Sequence, residues 1–331
     1  MTGALAGRRV LVTGAGGFIG SHLVEALVLE GAHVRAFVHY NSRNDRGHLE
    51  QVAADVAAEV EVIAGEIQDP FSVAGAVTGC EIVFHLAALI GIPYSYQAPK
   101  SYVETNILGS LNVLEAARRH AVHRVVQTST SETYGTAQYT PIDERHPLQG
   151  QSPYSASKIG ADKIAESYFR SMDLGVTTLR PFNTYGPRQS LRAVIPTIIA
   201  QALHGDRVKL GSLEPVRDFT FVTDTARAFI AVATADGVVG QTLNAGSGQG
   251  ITIGDLARLI LRLTESEAEL VHDEQRVRPQ ASEVFELLCD AGRLRELTGW
   301  RPRVSLDAGL EATIAWMQSR QPEARIHDYT V

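Results

Sequence analysis

The chain is poor in several things, and each shortage excludes a class of protein. Its 331 residues include two cysteines, Cys80 and Cys289, far apart and without metal-ligand spacing. They support neither a disulfide framework nor a thiolate metal site, and a reducing, cytoplasmic compartment is expected. No stretch approaches the ~18 continuous apolar residues of a membrane-spanning helix. The opening MTGALAGRRVLVTGAGG leads straight into a strand pattern, with no apolar core followed by a cleavage site, so no targeting leader is expected. Basic charge is also scarce: 30 basic residues, only four of them lysine, stand against 37 acidic ones for a net charge of −7. No basic block forms the electrostatic footprint of a nucleic-acid binder. An anionic ligand would have to be held by a few placed arginines, because the overall field opposes it.

What is present is an ordinary globular balance, 44% hydrophobic and 20% charged, enough for one large α/β domain with a smaller appendage. Short β-rich apolar runs at 8–13, 33–38, 60–64, 82–86, 124–129 and 176–179 alternate with helical spacing at 18–30 and 102–120. That alternation predicts a Rossmann-like, doubly wound parallel sheet. After Pro181 the pattern loosens. Helices are expected at 195–203, 255–263 and 306–317 and a short strand at 208–210. The expected division is a dinucleotide-binding domain, 1–180 with returns near 216–245 and 284–297, and an interwoven substrate-binding lobe, 181–215, 246–283 and 298–331. No internal repeat or low-complexity linker separates them.

The first strand runs into VLVTGAGGFIG, with glycines at 14, 17 and 20. Gly14 suits a tight turn, Gly17 lets the backbone approach a pyrophosphate, and Gly20 permits close packing of helix on strand. The following helix start, Phe18 and Ile19, supplies N–H groups and positive potential. The end of the second strand, where a carboxylate would bind the adenosine ribose, reads FVHYNSR and carries no acid. NADP is therefore not excluded beside NAD. His39 stands at that place, and Arg43 suits either a 2′-phosphate or a solvated loop.

Tyr154 and Lys158 form Y-x-x-x-K within SPYSASKIGADK and share one face of a helix. Given ten tyrosines and four lysines, chance supplies only about 0.1 such pairs. A lysine ammonium there is expected to lower the tyrosine's pKa, giving a phenolate able to accept a hydroxyl proton. The fifth strand ends RVVQTSTSETYG, and its C-terminal end faces the crevice where α/β folds bind ligands. Ser129 and Thr130 compete for the role of the hydroxyl that assists the phenolate.

These motifs, over essentially the whole chain, resemble the extended short-chain dehydrogenase/reductases of the epimerase/dehydratase family. The G-x-x-G-x-x-G spacing after Thr13 is its phosphate loop. The resemblance of STSETYG to the family's STSEVYG favours Thr130 as the catalytic hydroxyl, 24 residues before Tyr154. In the family's dehydratases a Glu two residues after that Thr removes the C5 proton and protonates the departing C6 hydroxyl, and Glu132 occupies this place. Ser131 between them resembles dehydratases acting on GDP-mannose. Thr-Ser-Glu also occurs in the family's decarboxylases. The resemblance further implies Glu66 and Ile67 at the adenine, Leu86, Ala87 and Ala88 beneath the cofactor, Lys158 on the nicotinamide ribose and Pro181 near the nicotinamide. Asn183, in RPFNTYGPRQ, is implied at the substrate, Arg217 at the nucleotide's phosphate or ribose, and Arg278 as a second arginine at the diphosphate. Arg192, Val194, Lys209 and Tyr94 are weaker substrate candidates. VHYNSRND, FHLAALIGIPYSYQAP and HPLQGQSPYSASKIGAD are similar to the bacterial dehydratases of legionaminic acid biosynthesis, which act on GDP-N-acetylglucosamine. The resemblance therefore implies a sugar-nucleotide 4,6-dehydratase with permanently held NAD, and a homodimer formed through the helices near 100–120 and 153–171. The rivals are a uronate decarboxylase, which needs a cation facing C6, a C4 epimerase, which leaves Glu132 idle, and a non-catalytic dinucleotide sensor.

Overall fold

The computed structural model describes residues 3–276 and 284–320. Thirteen strands are present in that range. They are β1 (Arg9–Thr13), β2 (His33–His39), β3 (Val60–Gly65), β4 (Ile82–His85), β5 (Arg124–Thr128), β6 (Val176–Pro181), β7 (Asn183–Tyr185), β8 (Arg207–Leu210), β9 (Val216–Phe221), β10 (Thr242–Ala245), β11 (Gly250–Thr252), β12 (Glu269–His272) and β13 (Glu286–Leu287). Seven of them make one parallel sheet in the order β10-β6-β5-β4-β1-β2-β3. The order reverses between β1 and β4, and the crevice outside their carboxyl ends is where this architecture binds ligands.

Helices cover both faces, so the strands are apolar on both sides. Along β1, Val10 and Val12 enter one core with Leu23, Val24 and Phe229, while Leu11 enters the other with Val83, Val113 and Tyr168. The first core lies under the helices Phe18–Leu29 and Val222–Thr234, the second under Pro70–Val77, Gly109–Arg119 and Pro153–Met172. The helix expected near 102–120 starts earlier, at Pro99, and is wound as a π-helix over Val103–Leu108. The wide turn there leaves the Asn106 side chain to clasp Leu89, accepting from its N–H at 2.9 Å and donating to its carbonyl at 3.0 Å.

The smaller lobe has a third core of Ile195, Ile198, Phe219, Leu256 and Leu310, among others. Strands β11, β9 and β13 form its sheet, β7 pairs with β9, and β8 with β12 forms a separate ribbon. Within the 216–245 segment, expected to return to the dinucleotide-binding domain, the two strands go to different sheets. The first, β9, belongs to the small sheet, buried on both faces. The return begins at Val222, whose helix feeds β10 onto the edge at β6. Within 284–297, β13 likewise pairs with β9.

Candidate active site

At the switch point, Thr13 closes β1 and its hydroxyl joins two strands. Thr13 Oγ1 accepts from the N–H groups of Leu86 and Ala87, both at 3.1 Å, and lies 2.8 Å from His85 Nδ1. His85 Nε2 lies 3.0 Å from Ser110 Oγ, which donates to the Asn106 carbonyl at 2.6 Å. Burial, with the Lys158 charge adding to it, lowers His85 to about 3. The ring is therefore neutral, and the network assigns it as accepting at Nδ1 and donating at Nε2.

The glycines behave as their spacing requires. Gly14 has φ +69°, and a Cβ there would stand 2.8 Å from the Ala87 nitrogen. A Cβ on Gly20 would stand 2.2 Å from the Gly14 carbonyl oxygen. Gly17 is the N-cap of the helix Phe18–Leu29, and no side chain caps it. The N-terminal turn carrying Phe18, Ile19 and Gly20 is thus a ready anion cradle beside Leu86, Ala87 and Ala88. Gly16, which the spacing argument passes over, seats the next loop: a Cβ there would lie 2.7 Å from the Arg46 carbonyl oxygen.

At the outer end of the crevice, His39 Nδ1 lies 3.2 Å from Glu66 Oε1. Glu66, the residue after β3, is the acid that stands beside His39 at this edge. Ile67 is nearly buried beneath Gly109. Arg43 sits on an exposed turn closed by Asn41, whose Oδ1 accepts from the Arg43 and Asp45 N–H groups at 3.1 and 3.0 Å. Val38, His39, Tyr40, Asn41 and Arg46 help line a cleft of about 140 Å³ here.

Thr130, Glu132 and Tyr154 converge at the end of β5. Thr130 caps the short turn Ser131–Tyr134, accepting from the Glu132 N–H at 3.2 Å. Tyr154 opens the helix Pro153–Met172, which Ser152 starts with a reciprocal capping box. Burial pushes the Tyr154 phenol well above the ordinary tyrosine range. The Thr130 hydroxyl, within hydrogen-bonding reach, pulls it down, while the charge of Glu132 pushes it further up. The expected lowering by Lys158 is not what the structure shows. Burial dominates the phenol, and the Lys158 ammonium donates to the Thr128 carbonyl at 2.6 Å. Lys158 itself is brought down to about 8 by burial, with Asp162 acting against the fall. Ser129 is occupied elsewhere, since its hydroxyl donates to Asp162 Oδ2 at 2.6 Å. Ser131 is buried.

Pro181 ends β6 and Asn183 begins β7, where Asn183 Nδ2 donates to the Asp218 carbonyl at 3.3 Å. The rings of Tyr94 and Tyr102 lie 6.3 Å apart, and Tyr102 meets Tyr154 edge-on, also at 6.3 Å. The exposed Arg192 is close enough for its charge to act on Tyr102. Val194 begins the helix Val194–His204. Arg217 is buried in β9 and donates to the Val216 carbonyl at 3.0 Å. Lys209 points to solvent from the β8–β12 ribbon. Arg278 lies outside the described residues. Sequence reasoning misses Asp162 and Arg180, although positions 154, 158 and 162 share one helical face and that spacing was available.

A family model described as GDP-mannose 4,6 dehydratase matches residues 11–313. The UDP-N-acetyl-alpha-D-glucosaminuronate decarboxylase of Bacillus cytotoxicus is 33% identical over 324 residues, covering 94% of this chain and 98% of the relative. Among solved structures, the dTDP-glucose 4,6-dehydratase of Streptomyces venezuelae with NAD bound superposes with a TM-score of 0.84 at 30% identity, covering 94% and 97% of the two chains. The UDP-glucose 4-epimerase of Thermotoga maritima with UDP-glucose gives a TM-score of 0.86, also at 30% identity, covering 94% and 99%.

Proposed function

This chain belongs to the GDP-mannose 4,6-dehydratase family of extended short-chain dehydrogenase/reductases, and from that premise we propose that it is a sugar-nucleotide 4,6-dehydratase using NAD. The observation that carries the choice is Glu132. It is a carboxylate on the turn capped by Thr130, and its charge reaches the Tyr154 phenol. An epimerase has no use for a carboxylate there.

The residues present fit the cofactor. The uncapped helix start at Gly17 and the Gly14–Gly20 packing leave room and donors for a pyrophosphate. His39 and Glu66 stand at the adenosine end, with Ile67 beside them. Leu86, Ala87, Ala88, Lys158 and Pro181 would flank the nicotinamide riboside. When bound, NAD supplies the hydride acceptor for C4 and returns that hydride to C6. Tyr154 takes the O4 proton as the phenolate, a form that burial disfavours here and that the Lys158 ammonium and the positive nicotinamide of bound NAD would favour, with the Thr130 hydroxyl holding O4 in line. Glu132 removes the C5 proton, made acidic by the neighbouring 4-keto group, and delivers a proton to the departing C6 hydroxyl. The product is a 4-keto-6-deoxy sugar nucleotide, and the cofactor ends as it began. Arg217 and Arg278 are assigned to the diphosphate, with Asn183, Tyr94, Ser131, Arg192, Val194 and Lys209 as further substrate contacts. A GDP- or UDP-linked N-acetylhexosamine is the proposed substrate class. A homodimer through the helices around 100–120 and 153–171 is part of the same reading. Among the described residues no helix is long and apolar enough to cross a membrane.

A second reading, decarboxylation of a nucleotide-linked uronate, is favoured by Arg192, a cation beside the Tyr94–Tyr102–Tyr154 line. Mass spectrometry decides between them. The purified protein is incubated with NAD and, in turn, GDP- and UDP-N-acetylglucosamine, GDP-mannose, dTDP-glucose and UDP-glucuronate. Loss of water from a hexose nucleotide is expected. Loss of carbon dioxide from the uronate, or an isomer of unchanged mass, would replace the dehydratase by a decarboxylase or an epimerase.

A further inference from the structure

Behind Thr130 lies a buried polar cluster that the reaction scheme does not use. Arg180, on β6, donates from Nη2 to Asp162 Oδ2 at 2.8 Å, from Nε to Ser129 Oγ at 3.2 Å and from Nη1 to the Tyr134 hydroxyl at 3.0 Å. Tyr134 in turn donates to Asn244 Oδ1 on β10 at 2.7 Å. The Arg180–Asp162 pair is about 5% exposed on either side. Each contact leads to a different catalytic element. Ser129 precedes Thr130, Tyr134 closes the turn that carries Glu132, and Asp162 lies one helical turn beyond Lys158 and two beyond Tyr154.

We propose that Asp162, acting through Arg180, is a positioning residue that fixes Thr130 and Glu132 against the Tyr154–Lys158 face of the helix. This deepens the dehydratase reading and rests on it. A carboxylate serving only as half of an ion pair would put both oxygens on the guanidinium fork. Here Oδ2 takes both Ser129 and Arg180, while the buried Oδ1 has no hydrogen-bond partner. The carboxylate's charge is thereby left to act on its neighbours: it opposes the fall of Lys158 and raises Tyr154. The titratable and charged groups around Lys158 are Asp162 and Tyr154 on its own helix, neutral His85 at the end of β4, Glu132 on the turn and Arg180 on β6. Of these, Asp162 is the charge that acts on the ammonium, favouring it, whereas the charge of Glu132 acts on Tyr154.

Asp162→Asn keeps the shape and removes the charge. The probe is GDP-N-acetylglucosamine, or the member of the panel that is turned over. With it, kcat is expected to fall on the order of 10²-fold with KM little changed. The pH–rate profile is expected to move bodily to lower pH, because Lys158 and Tyr154 both lose a negative neighbour. Asp162→Glu restores the position of the profile. Should Asp162→Asn fail to fold, the paired change Asp162→Leu with Arg180→Met leaves no orphan charge, and the same loss of kcat at an undiminished Tm is expected. A profile that stays in place while rate and Tm fall together, or a paired variant with full kcat, overturns the proposal. Tyr154→Phe is run alongside. Its activity would refute the dehydratase mechanism itself, whereas an inactive Tyr154→Phe beside an unaffected Asp162→Asn rejects only the positioning role.

Discussion

Around β1 and β4 the polar contacts connect neighbours of one repeating βαβ pattern, and strands of four to seven residues are buried on both faces. In the small sheet, β7 and β11 have three residues each and β13 has two. These are too short to fix their own register. There a single carboxylate does the fixing. Asp218 is wholly buried on β9 and accepts from the N–H groups of Ser247, Gly248 and Cys289 at 2.8, 2.8 and 3.1 Å, and from the Ser247 hydroxyl. The large sheet is thus organised by periodicity and glycine geometry, and the smaller lobe by long-range anchors. Chemistry that must recur in a family can sit on the first kind of scaffold, while substrate preference can change on the second without disturbing it.

The largest effects should come where the two regions meet. Tyr154→Phe is expected to lower kcat about 10³-fold, with NAD binding retained and the first hydride transfer absent in single-turnover cofactor fluorescence. Glu132→Gln separates the steps: C4 oxidation persists, seen as reduced cofactor, while water loss stops. Normal dehydration by either variant would mean that the convergence of Thr130, Glu132 and Tyr154 is not the catalytic centre.

Next in size is a change confined to the cofactor side. Gly20→Ala would place its methyl carbon 2.2 Å from the Gly14 carbonyl oxygen. That is a backbone contact that cannot yield, so a loss of about 3 kcal/mol and weakened NAD binding by calorimetry are expected. Gly75→Ala is the control, since nothing stands within 4 Å of a Cβ there. Equal losses in the two variants would show that the phosphate loop is no tighter than an ordinary helix.

This asymmetry also explains what can be read without coordinates. The seven-stranded sheet is legible except for β10, and the expected strand ends lie within about two residues of those observed, because period and burial agree along β1, β4 and β5. The glycine roles follow from spacing alone. The place of β9 is not legible, because a strand buried on both faces reads alike in either sheet. The direction of the Tyr154 pKa shift escapes for a similar reason. Sequence reveals that Lys158 shares the face, but not that the phenol is buried or that the ammonium turns to Thr128. Arg180 and Asp162 come together only once β6 lies beside β5.

In the smaller lobe, Asp218→Asn keeps the size of the side chain but replaces an acceptor oxygen by a donor, facing N–H groups that then have no partner. A loss of about 3 kcal/mol is expected, with KM for the nucleotide sugar raised several-fold and NAD affinity unchanged. The readout is the contrast between the two ligands in isothermal titration. If NAD affinity falls in parallel, the two scaffolds are one cooperative unit and the comparison fails.

Acid should distinguish the regions by sign. His85 and His22, both on the cofactor side, are held neutral by burial, at about 3 and about 4. Their folded values lie below the unfolded value of about 6.5, so the stability they contribute is present above that pH. It is lost as pH falls toward the folded values, because the unfolded chain takes up the protons first. For His85 this amounts to about 2 kcal/mol between pH 7 and pH 5. Asp218 has the opposite sign, since burial raises its carboxyl. Whatever protonation of that group contributes is present at low pH and lost as pH rises through the folded value. Between pH 7 and 5, hydrogen-exchange protection factors, which divide out the slower intrinsic exchange at acid pH, should therefore fall around β1, β4 and the helix Phe18–Leu29 before they do in β9 and β11. His85→Gln, which can still accept from Thr13, should flatten the acid dependence of Tm. An unchanged slope in that variant would place the acid sensitivity elsewhere, and a uniform loss of protection across both sheets would show that the anchors and the periodic sheet open together.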